Sequence, residues 1–130
     1  MRFLCLICAE KMMEQMPHAD AERHYEEYAR FTADVRASGH FVDCNRLQPP
    51  AAAATVRVRN GKVSTTDGPF AETKEQLGGY YMLEARDLNE AIQVASKHPA
   101  ARLNEHLGWG IEIRPIEFCR VAAVAPAVTS

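Results

Sequence analysis

Two strand–helix–strand patterns stand on either side of a hairpin signal, and that order leaves few folds open to this chain. The first pattern begins with an apolar strand over residues 2–8, Phe3-Leu-Cys-Leu-Ile-Cys at its heart. A strand apolar on both faces is covered on both sides, which places it centrally in a sheet. A helix follows over about residues 20–38, with Asp20 as its cap and Gly39 just past its end. The spacing of three and four predicts an inward stripe of Tyr25, Tyr28, Thr32 and Val35, with Phe31 alongside. Glu22, Glu26, Arg30 and Arg36 take the opposite face. A second strand covers residues 40–47 and ends at Pro49-Pro50, since proline cannot donate to a ladder.

The hairpin comes next. Thr55-Val-Arg-Val-Arg59 alternates with period two, Asn60-Gly61 is a strong two-residue turn signal, and residues 62–66 return. Residues 67–76 read as a loop or a single helical turn. The second pattern then runs through a strand at residues 79–85, a helix and a last strand at residues 111–118. Asp87-Leu-Asn-Glu90 forms a capping box for that helix. Leu88, Ala91, Ile92 and Ala95 give it an apolar face, and Pro99 stops it. Pro115 marks the last strand as an edge or a bulge. The order predicts an α+β fold, a ferredoxin-like β-α-β repeat with an inserted β-hairpin. One domain spans residues 1–120, and residues 121–130 form a flexible tail. Two helices cover one face of such a sheet. The other face needs a cover, and the simplest is a second copy, so a homodimer is expected.

Composition narrows the class. The 130 residues are 47% hydrophobic and 25% charged, enough for one globular core without staples. A formal charge of −2 lacks the basic excess of a nucleic-acid footprint. The N-terminal apolar run is far short of the roughly 20 residues of a membrane span. It ends in Glu10-Lys11, so a cytoplasmic location and no membrane partner are expected. Cys5 and Cys8 form a C-x-x-C, but residues three apart on a strand point to opposite faces, so the pair is structural. The histidines His18, His24, His40, His98 and His106 show no H-x-x-x-H or H-E-x-x-H spacing. No metal and no cofactor are expected.

Several residues could carry chemistry. Asp67, before Gly68-Pro69, is either a turn residue bonding nearby amides or a general acid/base facing a cleft. Phe70 plugs the core or walls that cleft. His24 shares a helix face with Tyr28 and Phe31, where it is an available base or a helix-edge side chain near solvent. Tyr28 can donate a hydrogen bond, but with an ordinary pKa near 10 it is a poor base. Lys74 or Arg46 could hold an anionic ligand at a cleft mouth, against a bland reading of Lys74, Glu72 and Glu75 as a solvated patch. Tyr80 and Tyr81 point to opposite sheet faces, one into the core and the other towards the cavity of a dimer. Gly78-Gly79 lets the chain enter a crowded strand.

The stretch Asp67-Gly-Pro-Phe-Ala-Glu-Thr-Lys-Glu-Gln-Leu-Gly-Gly-Tyr-Tyr81 resembles the signature of the DGPF branch of YCII-related proteins. Arg46-Leu-Gln-Pro-Pro50 and Glu84-Ala-Arg-Asp-Leu88 agree, and the resemblance covers about residues 2–118. It implies a dimeric α-β barrel, in which two ferredoxin-like sheets pack face to face. Genomic proximity of some relatives to extracytoplasmic-function sigma factors implies a stress or regulatory context. More distant relatives carry a proposed His–Asp dyad with its histidine on the first helix. Counting back from Gly39, that place holds Tyr28, so the dyad does not carry over unchanged. Three functions stay open. One is a cofactor-free enzyme of lyase or isomerase type, acting on a small molecule in an inter-sheet cavity through Asp67 with His24 or Tyr28, and with Phe70, Lys74, Tyr81 and Arg46 as ligand contacts. The others are a non-enzymatic ligand-binding or regulatory partner, and a structural dimer module.

Overall fold

The computed structural model describes residues 1–9, 17–70, 76–102 and 109–117. Lys74, Glu72, Glu75, His106 and the tail expected at residues 121–130 lie outside the described residues. The elements are β1 (Arg2–Ala9), α1 (His18–Ala37), β2 (Phe41–Arg46), β3 (Ala54–Arg59), β4 (Lys62–Asp67), β5 (Gln76–Glu84), α2 (Leu88–Ala95), α3 (Pro99–Arg102) and β6 (Gly110–Pro115). Four strands form one sheet in the order β2-β5-β1-β6, every neighbouring pair antiparallel. β1 and β2 are therefore parallel with β5 between them, the split β-α-β of a ferredoxin-like α+β fold. The apolar β1 is central, and β6, with Pro115 as its last residue, is an edge. β3 and β4 form a separate two-stranded hairpin. Its turn places both Asn60 (φ 52°) and Gly61 (φ 75°) in the left-handed region, as a type I′ turn requires.

The core lies between the helices and one sheet face. Phe3, Cys5, Ile7 and Ala9 of β1 point into it, with Tyr81 and Leu83 of β5 beside them. Phe31 and Val35 come down from α1, and Ala95, Ala100 and Trp109 close the far side. Cys8 faces away from Cys5, as the strand period demands, together with half-buried Leu4, Leu6, Tyr80 and Met82.

The helices depart from the expected faces. α1 buries His24, Phe31 and Val35, with half-buried Tyr28 on the same stripe, while Tyr25 is 44% exposed. The stripe is turned because His24 behaves as an aromatic ring, packed edge-on against Tyr28 and Trp109. Asp20 is not the cap. The helix begins two residues earlier after Pro17, no side chain caps it, and Asp20 pairs with Arg23 in the first turn. In α2 only Ala91 and Ala95 are buried, while Leu88 and Ile92 are exposed. Their small size lets α2 settle close against Phe3 and Ala85. The capping box is present in shifted form. Asp87 Oδ1 accepts from the Glu90 N–H at 2.9 Å, and Glu90 Oε1 accepts from the Arg86 N–H at 3.0 Å, one residue before the cap. Pro99 does not stop α2, which has already ended; it opens α3. Proline at a first helical position loses no needed hydrogen bond.

Candidate functional site

A cavity of about 250 Å³ opens between α1 and the helix-side face of the sheet. Small residues make the space. Ala9 and Gly79 leave the sheet low beneath α1 beside Ile7, and Tyr25, Tyr28, Tyr81 and Trp109 wall the cavity. Arg46, Leu47 and Pro49 form the rim, where β2 runs out. Gly79 has a second duty. A Cβ there would lie 2.9 Å from the Asn45 carbonyl oxygen, so only glycine lets β2 pair this closely with β5. The expectation of a crowded strand is met at Gly79.

The polar groups of the cavity are held in order. The Thr32 hydroxyl donates to the Tyr28 carbonyl at 2.9 Å. Its oxygen is then the acceptor for the Tyr81 hydroxyl at 2.7 Å. Cys44 stands opposite Tyr81 in the register. Burial pushes the Tyr81 hydroxyl and the Cys44 thiol above their ordinary pKa values. Burial raises Tyr28 far more, and the Arg46 charge offsets only part of it. Neither tyrosine is a base near neutral pH. Arg46 donates to the Tyr25 hydroxyl and lies 5.3 Å from the centre of that ring, so Tyr25 seats the guanidinium at the rim.

Behind the aromatic wall lie two histidines. His24 is 2% exposed and His98 1%. Tyr28 touches both, with ring centroids 4.6 Å from His24 and 4.5 Å from His98. Trp109 contacts His24 at 4.8 Å, and Tyr81 contacts His98 at 5.0 Å. Burial lowers the pKa of His24. Burial, with His24 nearby, pushes His98 down to about 3, so both rings are neutral. His98 Nδ1 accepts the Ala100 N–H at 2.9 Å and so caps α3. Both nitrogens of His24 and the Nε2 of His98 have no hydrogen-bond partner among the described residues.

The expected site residues divide. Tyr28, Tyr81 and Arg46 line the cavity, and His24 lies behind it rather than at a solvent-facing helix edge. Tyr81 faces the helix side, so the cavity it lines is within one protomer and not between two sheets. Tyr80, on the other face, donates to Asp43 Oδ2 and accepts from Asn45, each at 2.9 Å. Asp67 is the last residue of β4, exposed on the hairpin and absent from the cavity lining. The hairpin end is bonded by its neighbours instead, Gly68 N–H to the Ala53 carbonyl and the Thr55 hydroxyl to the Gly68 carbonyl. Phe70 plugs nothing. It is 79% exposed, with the Arg57 guanidinium 5.1 Å from its ring centre.

This arrangement, a sheet-and-helix cavity reached past β2, goes with a sequence match. The YCII-related domain model matches residues 1–116. The chain belongs to the YCII-related family. This YCII-related protein is also 44% identical over 71 residues to the uncharacterized protein R00369 of Rhizobium meliloti (strain 1021). The aligned stretch covers 55% of this chain and 55% of that protein, about half of each. The family's α+β architecture, of dimeric α-β barrel type, agrees with the observed sheet order. No helix among the described residues is long and apolar enough to cross a membrane.

Sequence reasoning missed Trp109, Tyr25 at the rim and His98. Trp109 carries no periodic signal, since it precedes β6 outside any repeat. His98 had one signal. A residue with a side-chain acceptor before a proline at a first helical position is a cap.

Proposed function

We propose that this protein, as a member of the DGPF branch, binds a small planar organic acid in the cavity between α1 and the sheet. The aromatic wall beneath a seated guanidinium carries this reading. Tyr28, Tyr81 and Trp109 offer ring faces and edges to a flat molecule, and Arg46 offers charge-assisted donors to its acid group. A mostly apolar pocket with few convergent polar groups is the usual form of a small-molecule site. The fifteen-residue match from Asp67 to Tyr81 supports the branch assignment. Asp67, on which an acid–base reading leans, ends β4 on the hairpin and does not line this cavity. The reading is therefore binding rather than turnover.

Titration calorimetry with benzoate tests it. Wild type binds one benzoate per chain. Arg46→Gln removes the charge and keeps a polar side chain. It weakens binding about tenfold or more, since a hydrogen bond to a charged group contributes roughly 1.5–3 kcal/mol. Absence of benzoate binding to wild type, or equal affinity in Arg46→Gln, refutes the proposal.

A further inference from the structure

The two buried histidines are not accounted for by packing alone. Polar groups at this depth are hydrogen-bonded in nearly all folded proteins, and leaving one unmade costs about 1–3 kcal/mol. Here three ring nitrogens have no partner among the described residues, two on His24 and one on His98. Their protonation can be read from the one bond that is made. His98 Nδ1 accepts the Ala100 N–H, so in the neutral ring the proton sits on Nε2. His98 therefore presents an N–H donor. His24, also neutral, presents one donor and one lone pair. A pair offering a donor and an acceptor is complementary to a hydroxyl group, which accepts and donates at once.

Position brings the pair to the cavity. Tyr28 lines the cavity and is in ring contact with both histidines. Trp109 against His24 and Tyr81 against His98 complete the wall that stands between the pair and the cavity. Arg46 stands at the rim, with the cavity between it and the aromatic wall.

We propose that the Tyr28 ring turns aside for a ligand and that His24 and His98 are then the inner hydrogen-bonding end of the site, which takes a hydroxylated aromatic acid with its acid group on Arg46 and its distal hydroxyl on the two imidazoles. The hydroxyl accepts from His98 Nε2–H and donates to the lone pair of His24. This rests on the reading of the cavity as an acid-binding site and adds the substrate class.

The probes are 4-hydroxybenzoate and benzoate, measured by titration calorimetry on the full chain. Wild type is expected to bind 4-hydroxybenzoate at least tenfold more tightly than benzoate. In His24→Phe and His98→Phe that preference is expected to be lost, with 4-hydroxybenzoate binding no more tightly than benzoate. Where either variant fails to fold, long-range nitrogen–proton spectra of histidine-labelled wild type replace it. Saturation with 4-hydroxybenzoate, and not benzoate, then shifts the ring nitrogens of both histidines. Equal affinity for the two probes, a preference that survives in both variants, or unshifted nitrogens overturns the pair's role and leaves acid binding intact. Loss of benzoate binding altogether overturns both readings. Unshifted nitrogens would assign His98 Nε2–H to the faces of the surrounding aromatic rings.

Discussion

At the scale of single residues, His98 sets a pH limit on the fold. Its folded pKa is near 3, against an ordinary value of 6.5 for an exposed ring. Between those values the unfolded chain binds a proton that the folded chain does not. Stability is therefore complete above about pH 6.5 and declines as pH falls towards 3. The slope is about 1.4 kcal/mol per pH unit for one such group. Taking those two pKa values, the expected loss from pH 7 to pH 5 is about 2 kcal/mol from His98 alone. His24, lowered in the same direction by burial, adds to it. Urea unfolding at the two pH values measures this, with His98→Phe as the comparison. A midpoint that does not move between pH 7 and 5, or that moves equally in the variant, would show that His98 is not buried neutral. Legibility at this scale was uneven. Tyr28 and Arg46 could be reached from helix spacing and charge, because those properties follow from the residue and its neighbours. Asp67 drew attention through a motif, and motifs say nothing of which surface a hairpin end presents. The spacing of His24 to Tyr28 and Phe31 marked it as inward, but a helix edge stayed open as the alternative, because a histidine scores as polar in a periodic pattern whereas its ring packs like a small aromatic.

At the scale of elements, strand pairing was the most readable feature. The Asn60-Gly61 turn, the double-sided apolar β1 and the edge proline of β6 each have one physical cause, visible in a few adjacent residues. Helix faces were less readable, because small residues decide close approach. Ala91 and Ala95 bury in α2 while the larger Leu88 and Ile92 stay exposed, which an apolar count cannot foresee. Gly79 joins the two levels. It sits in β5 against the Asn45 backbone and also floors the cavity. Gly79→Ala sets its Cβ 2.9 Å from the Asn45 carbonyl oxygen, a contact no side-chain rotation relieves. Overpacking of this kind costs typically about 1–3 kcal/mol. Chemical denaturation should show that loss, and benzoate affinity should fall with it as β2 shifts and Arg46 moves. A variant as stable as wild type would mean that β2 and β5 tolerate a wider spacing than the one observed.

At the scale of the whole molecule, two apolar surfaces are left open among the described residues, and both are chemically suited to a second copy. The outer sheet face carries Leu4, Leu6, Tyr80 and Met82, only half-buried. The hairpin exposes Val56, Val58 and Val63, each more than 60% open, along one side of its two strands. Two-stranded hairpins are marginal alone and gain stability from packing. We infer that the sheets of two copies pack face to face, as the α-β barrel type of this family implies. The test follows from the position of Leu6. It lies at the centre of the outer face, opposite Tyr80 on one side and Glu112 on the other. Light scattering should give twice the chain mass for wild type at micromolar concentration. Leu6→Glu places a carboxylate on that face beside Glu112 and should give monomers. The cavity lies on the opposite, helix-covered side of the sheet, so the monomeric variant should still bind benzoate. A wild-type monomer would leave the outer face without its partner. A Leu6→Glu dimer would move the interface elsewhere, with the hairpin valines as its next location. Dissociation accompanied by loss of benzoate binding would show that the cavity depends on the second copy, through the packing of β1 and β5 that both faces share.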